Sequence, residues 1–147
     1  MVVHARRWSV IVAALAGAAV ACKKAPPPPP PAAPPAVVPL SVSSVTLGKA
    51  VGGDKSIAQP VTTFRPKDTI YASVATVGSA SSATIAAVWT FQSGKVVMAD
   101  TQAIAPTGPA YTEFHFSKAS GWPVGKYKVS ISLDGTLAGA QDFEVKR

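Results

Sequence analysis

The stretch from Ser41 to Arg147 predicts an all-β domain folded as one antiparallel sandwich of about seven to eight strands, and three observations carry that prediction. Apolar and polar residues alternate over short runs. Gly, Pro, Asp and Ser separate the runs. No stretch keeps a helical period long enough to bury a helix face. The 107 residues of this region can remove roughly 60–70% of the unfolded chain's surface from water without a disulfide or metal staple. Every aromatic residue except Trp8 lies after residue 60, so the core belongs here.

The strands are expected in order near Val42–Leu47, Ser56–Thr63 and Thr69–Val77, the last of which puts Ile70, Ala72 and Val74 on one face. The fourth, Ala83–Gln92, points Ile85, Ala87, Trp89 and Phe91 inward. Ser93-Gly94 is a two-residue hairpin signal leading into Lys95–Ile104, and it sets Phe91 opposite Val96 and Trp89 opposite Met98. In the sixth strand, Thr112–Ser117, Phe114 and Phe116 share one side, with Glu113, His115 and Ser117 on the other. Lys126–Leu133 and Leu137–Lys146 follow, joined through Asp134-Gly135.

That last hairpin discriminates between registers. A plain two-residue turn would pair Tyr127 with Asp142 and Lys126 with Phe143. One extra residue in the final strand instead pairs Tyr127 with Phe143, Lys128 with Asp142 and Lys126 with Glu144. A bulge around Gly139–Gln141, or a three-residue loop ending at Thr136, is therefore expected.

The tryptophan in a central strand, the corner GWPVGKYKVSISLDG running into a Tyr-bearing strand, and the Asp-Gly hairpin into FEVKR together resemble bacterial immunoglobulin-like or fibronectin-III-like domains. The resemblance covers about residues 41–147. It implies that Tyr127 is a tyrosine-corner residue, although the cysteine pair of antibody-type domains is absent. Such folds carry many unrelated functions, so the resemblance names no ligand.

Ahead of the domain, MVVHARRW is a short basic start and SVIVAALAGAAVA an uncharged Ala/Val-rich run, the n-region and h-region of a signal peptide over residues 1–21. The run is shorter than the ~20 apolar residues of a membrane span. It ends at Cys22, the only cysteine of the chain. Ala19-Val20-Ala21-Cys22 resembles the lipobox of bacterial lipoproteins, which implies a diacylglyceryl thioether on Cys22 as the lipid attachment and mature N-terminus. Ala19 stands where that motif commonly has Leu, and the tripeptide also satisfies the small-x-small rule of ordinary signal peptidase, which would leave a free secreted thiol. Lipidation accounts for an unpaired cysteine that would otherwise be open to oxidation. Lys23, where Gram-negative lipoproteins retained at the inner membrane commonly carry Asp, implies an outer-membrane location in the bacterial cell envelope.

Residues 22–40 form the lipidated end and a linker. Nine of the fourteen prolines fall between Pro26 and Pro39, and proline runs adopt polyproline II because they lack an N–H and fix φ. Lys23–Pro39 at ~3.1 Å per residue would hold the domain up to about 50 Å from the bilayer.

Little in the sequence suggests catalysis. His4 leaves with the signal peptide, so His115 is the only mature histidine, and Glu113 with His115 would supply two metal ligands, too few for a site. VGGDKS lacks the spacing of a phosphate loop. From Cys22 onward, 12 Lys and Arg oppose 7 Asp and Glu, a net +5 that hints at anionic partners. Nucleic acid is disfavoured, because no basic run interleaves aromatics.

The expectation is a non-enzymatic, lipid-anchored envelope lipoprotein without cofactor or metal. Its sandwich would serve protein interaction or assembly support. The alternative is binding of cell-wall or surface glycan, with Trp122 and Tyr111 as candidate exposed aromatics beside a basic face, set against a reading in which Trp122 covers the open end of the sandwich.

Overall fold

A computed structural model describes residues 38–92 and 94–147. The signal peptide, Cys22 and most of the linker lie outside the described residues, as does Ser93. The strands are β1 (Ser41–Gly48), β2 (Thr63–Phe64), β3 (Ile70–Val77), β4 (Ala83–Phe91), β5 (Lys95–Ile104), β6 (Ala110–Phe116), β7 (Gly125–Leu133) and β8 (Thr136–Val145). They form a three-stranded sheet, β1-β3-β6, packed on a five-stranded sheet, β2-β8-β7-β4-β5. The chain changes sheet after β1, β2, β3, β5 and β6, and the result is an immunoglobulin-like β-sandwich. All pairings are antiparallel except β2 with β8.

The expected inward faces form the core. Ile70, Ala72 and Val74 of β3 and Ile85, Ala87 and Trp89 of β4 are fully buried, joined by Phe114, Val129, Ile131 and Val145. Phe91, at the end of β4, is only partly covered.

Two expectations need correction here. Ser56–Thr63 is a loop with a two-residue strand at its end, because Pro60 has no N–H to donate and Ile57 is drawn instead onto Gly48, where a Cβ would stand 2.6 Å from its Cγ2. At the β4–β5 turn, Trp89 does face Met98, but Phe91 faces Lys95 and Thr90 faces Val96. The loop thus takes three residues, with Gln92 (φ 46°) and Gly94 (φ 102°) in left-handed conformations, and Val97 is bulged to compensate.

The last hairpin has the register that its chemistry demands, with Tyr127 opposite Phe143, Lys128 opposite Asp142 and Lys126 opposite Glu144. The expected loop variant is not used. Asp134 (φ 49°) and Gly135 (φ 81°) form a two-residue turn, and the extra residue is Ala138, one position before the expected bulge. Its place follows from packing: Gly139 passes β1 so closely that a Cβ would lie 3.0 Å from Val45 Cγ2, so β8 must be re-aimed before that point. Asp134 is also tied to the neighbouring strand, accepting from the Thr84 N–H at 2.7 Å.

Tyr127 closes the corner implied by the family resemblance. Its hydroxyl donates to Pro123 O at 2.8 Å, four residues back, and its ring stacks on Phe143 at 5.1 Å. Burial keeps the phenol protonated to a higher pH than usual. Because the folded state holds this proton more tightly than the unfolded chain, the contribution is present below the ordinary tyrosine range and fades as pH rises through it. Tyr127→Phe should cost about 1 kcal/mol at neutral pH, and its stability should fall less steeply than the wild type's above about pH 10. Denaturant titrations at pH 7 and pH 10.5 check both; equal stability at pH 7 would show that the corner bond is idle.

Candidate functional site

The strand order leaves β5 and β6 as the edges of their sheets on one flank of the sandwich. Gln102 of β5 ties them together, its Nε2 donating to Glu113 O of β6 at 2.6 Å. Toward the other end of the flank, where β5 begins and β6 finishes, the edges separate. A groove of about 360 Å³ opens there, lined by Phe91, Lys95, Val96, Val97, Phe116, Lys118, Trp122, Pro123 and Tyr127.

The floor of this groove is fixed. Trp122, a candidate exposed aromatic whose other reading is a cover for the open end of the sandwich, is 3% exposed. The corner loop turns its indole into the open end of the sandwich, where it packs edge-on against Phe116 (4.9 Å) and Tyr127 (5.4 Å). Its Nε1 donates to Asp68 O at 3.1 Å, and its own backbone N–H donates to Pro66 O at 2.7 Å. Asp68 is held in turn. Its carboxylate accepts from the Arg65 N–H at 2.8 Å and pairs with Lys49 at 2.7 Å. Partial burial opposes ionisation of Asp68, but Lys49 and the Arg65 N–H outweigh it and hold the carboxyl below its ordinary range. An indole with its N–H satisfied inside a ring of aromatics is a structural plug. The glycan platform loses Trp122.

The rim carries the charge. Lys95 and Lys118 stand on opposite banks, both exposed, and neither has an acidic partner among the described residues, whereas Lys49, Lys128 and Lys146 each pair with a carboxylate. No Asp or Glu lines the groove. Sequence reasoning missed this site, because it is assembled from the start of one strand, the end of another and a corner loop.

Tyr111 is exposed, at 45%, on the outer face of the three-stranded sheet. The β3–β6 register brings Tyr71 opposite His115 on that face, with ring centroids 5.5 Å apart, and Glu113 Oε1 lies 2.9 Å from His115 Nδ1. Glu113 and His115 thus share a strand face as expected, yet no group of three or more potential ligands gathers among the described residues. The VGGDKS loop closes on itself: Asp54 Oδ1 accepts from Ser56 Oγ at 2.7 Å and from the Ser56 N–H at 3.1 Å, which lowers its pKa. Ser73 Oγ pins the loop by donating to Lys55 O at 2.7 Å. The amides of Gly52, Lys55 and Ser56 are spent on turns within the loop.

No family model and no curated protein sequence matches the chain. Among solved structures, the sandwich is similar to the alkylpurine DNA glycosylase of Pseudomonas fluorescens bound to DNA containing an abasic site analog, at 12% identity and a TM-score of 0.50 over 74% of this chain. The chain spans only 30% of that glycosylase, and the likeness is one of fold alone. An immunoglobulin-like protein from Pseudomonas aeruginosa aligns over 76% of this chain and 99% of its own, at 10% identity and a TM-score of 0.46.

The two candidate aromatics should therefore behave differently. Trp122→Ala should cost about 3–5 kcal/mol by opening the end of the core, while Tyr111→Ala should stay within about 0.5 kcal/mol of wild type. Chemical denaturation of both variants checks this. A Trp122→Ala protein of near wild-type stability would return Trp122 to the list of binding residues.

Proposed function

We propose that the protein is a non-enzymatic, lipid-anchored lipoprotein of the bacterial cell envelope, and that its sandwich is a protein-interaction module presented on a proline stalk. The observation that carries the interaction reading is the groove between β5 and β6, whose rigid apolar floor is flanked by two lysines without acidic partners among the described residues. An exposed apolar recess rimmed by unspent charge is the anatomy of an interaction site. The non-enzymatic reading is supported by His115, whose side-chain partner Glu113 lies beside it on an exposed face, with no nucleophile bonded to either among the described residues.

Anchoring rests on Ala19-Val20-Ala21-Cys22 and the preceding apolar run. Two or three acyl chains at one residue give stable membrane attachment where a single chain would be marginal. Outer-membrane placement follows from Lys23 by family resemblance. A glycan-binding reading keeps one observation in its favour, the exposed ring of Tyr111 on the face that also bears Tyr71 and His115.

The anchored reading predicts that the native protein begins at an acylated Cys22. Intact mass and the N-terminal peptide of protein from native membranes should show the added acyl mass, and Cys22→Ser should abolish fatty-acid labelling and release the protein from the membrane fraction. An unmodified Cys22 at the mature N-terminus would refute the anchor and leave a secreted protein. Cross-linking in intact cells should give a reproducible protein adduct; retention on purified cell wall without an adduct would favour the glycan reading.

A further inference from the structure

The groove also specifies what would fill it. We propose that it receives an acidic peptide segment of a partner protein, with one large apolar side chain in the recess and flanking carboxylates on Lys95 and Lys118; this rests on the interaction reading above. The recess is preformed, because Trp122 and Tyr127 are each 3% exposed and locked by Nε1 to Asp68 O and by OH to Pro123 O. Binding would therefore cost little reorganisation of the floor. At about 360 Å³ the recess suits an anchoring side chain and its neighbours rather than a broad domain face.

Strand addition is a poor alternative at this spot. Val97 is bulged out of the β4–β5 ladder and Lys95 stands at the start of the edge, two devices that spoil an edge for further pairing. Recognition would run through side chains. The sign of the partner follows from the rim: with two exposed ammonium groups and no carboxylate in the lining, an anionic ligand gains both contacts and a basic one meets repulsion. The ligand must also carry an apolar group, since Phe91, Val96, Val97 and Phe116 line the same recess as the two lysines. A sheet of lipid headgroups would satisfy the lysines but leave that apolar strip without a partner.

The test uses the full chain with nitrogen-15 labelling and NMR titration. Four probes are compared: the capped peptide Asp-Glu-Phe-Glu-Asp, the same peptide with Lys at the four acidic positions, the same acidic peptide with Gly for Phe, and phosphatidylglycerol vesicles. The acidic Phe peptide should shift the amides of Val96, Val97 and Lys118 and the Trp122 indole saturably. The Gly and Lys versions, and the Lys95→Glu/Lys118→Glu double variant with the original peptide, should each bind at least fivefold more weakly. Both lysines are exposed and unpaired, so thermal melting should show the variant folded. Binding that ignores charge or the Phe, shifts confined to another face, or a response to vesicles alone would each overturn the proposal. Failure here with a protein adduct still formed in cells removes the groove but leaves the interaction reading; failure with no adduct removes both.

Discussion

The open end of a two-sheet sandwich must be closed by something large and apolar, and here that is one indole. Trp122 meets Trp89, Phe116, Tyr127 and Phe143, which come from both sheets. Its N–H reaches Asp68 O, so the loop before β3, the corner before β7 and the aromatic centre are held through one side chain. The Trp89 indole N–H, by contrast, is buried with no acceptor among the described residues, a cost of about 1–3 kcal/mol that the aromatic packing around it must offset. Phe143 serves as the hub, edge-on to Phe64 and Trp89 and stacked on Tyr127.

Much of this was legible because strand chemistry has period two. The inward sets of β3 and β4 followed from alternation, and the β7–β8 register followed from asking which pairing puts Tyr127 against Phe143 and each lysine against an acid. The exact bulge positions were not legible. Ala138 is extruded because Gly139 must pass β1, a strand about ninety residues earlier, and no local pattern encodes that approach. The second strand failed for a related reason: its residues look apolar, but Pro60 cannot join a ladder and only Thr63–Phe64 remain paired.

Sites were harder to read than strands, because a binding surface depends on which apolar groups are left over after the core is filled. Trp122 and Tyr111 look equivalent in sequence, each beside a proline-containing loop. The corner position of Trp122 allows it to cover the open end of the sandwich, and the three-dimensional arrangement sends it there while leaving Tyr111 on a sheet face. The groove lysines carried no signal either. Lys95 and Lys118 differ from Lys128 in having no acid beside them among the described residues, and Lys128 meets Asp142 only once β7 and β8 are paired.

The same closure that stabilises the fold thus builds the floor of the groove, which is the central claim. Hydrogen exchange of the indole N–H groups in the full chain tests it most directly. If Trp122 plugs the end, its Nε1–H should exchange slowly, with protection approaching that of the β4–β7 amides. If Trp122 exchanges at the rate of a free indole, the end is open, the groove has no fixed floor, and the account fails.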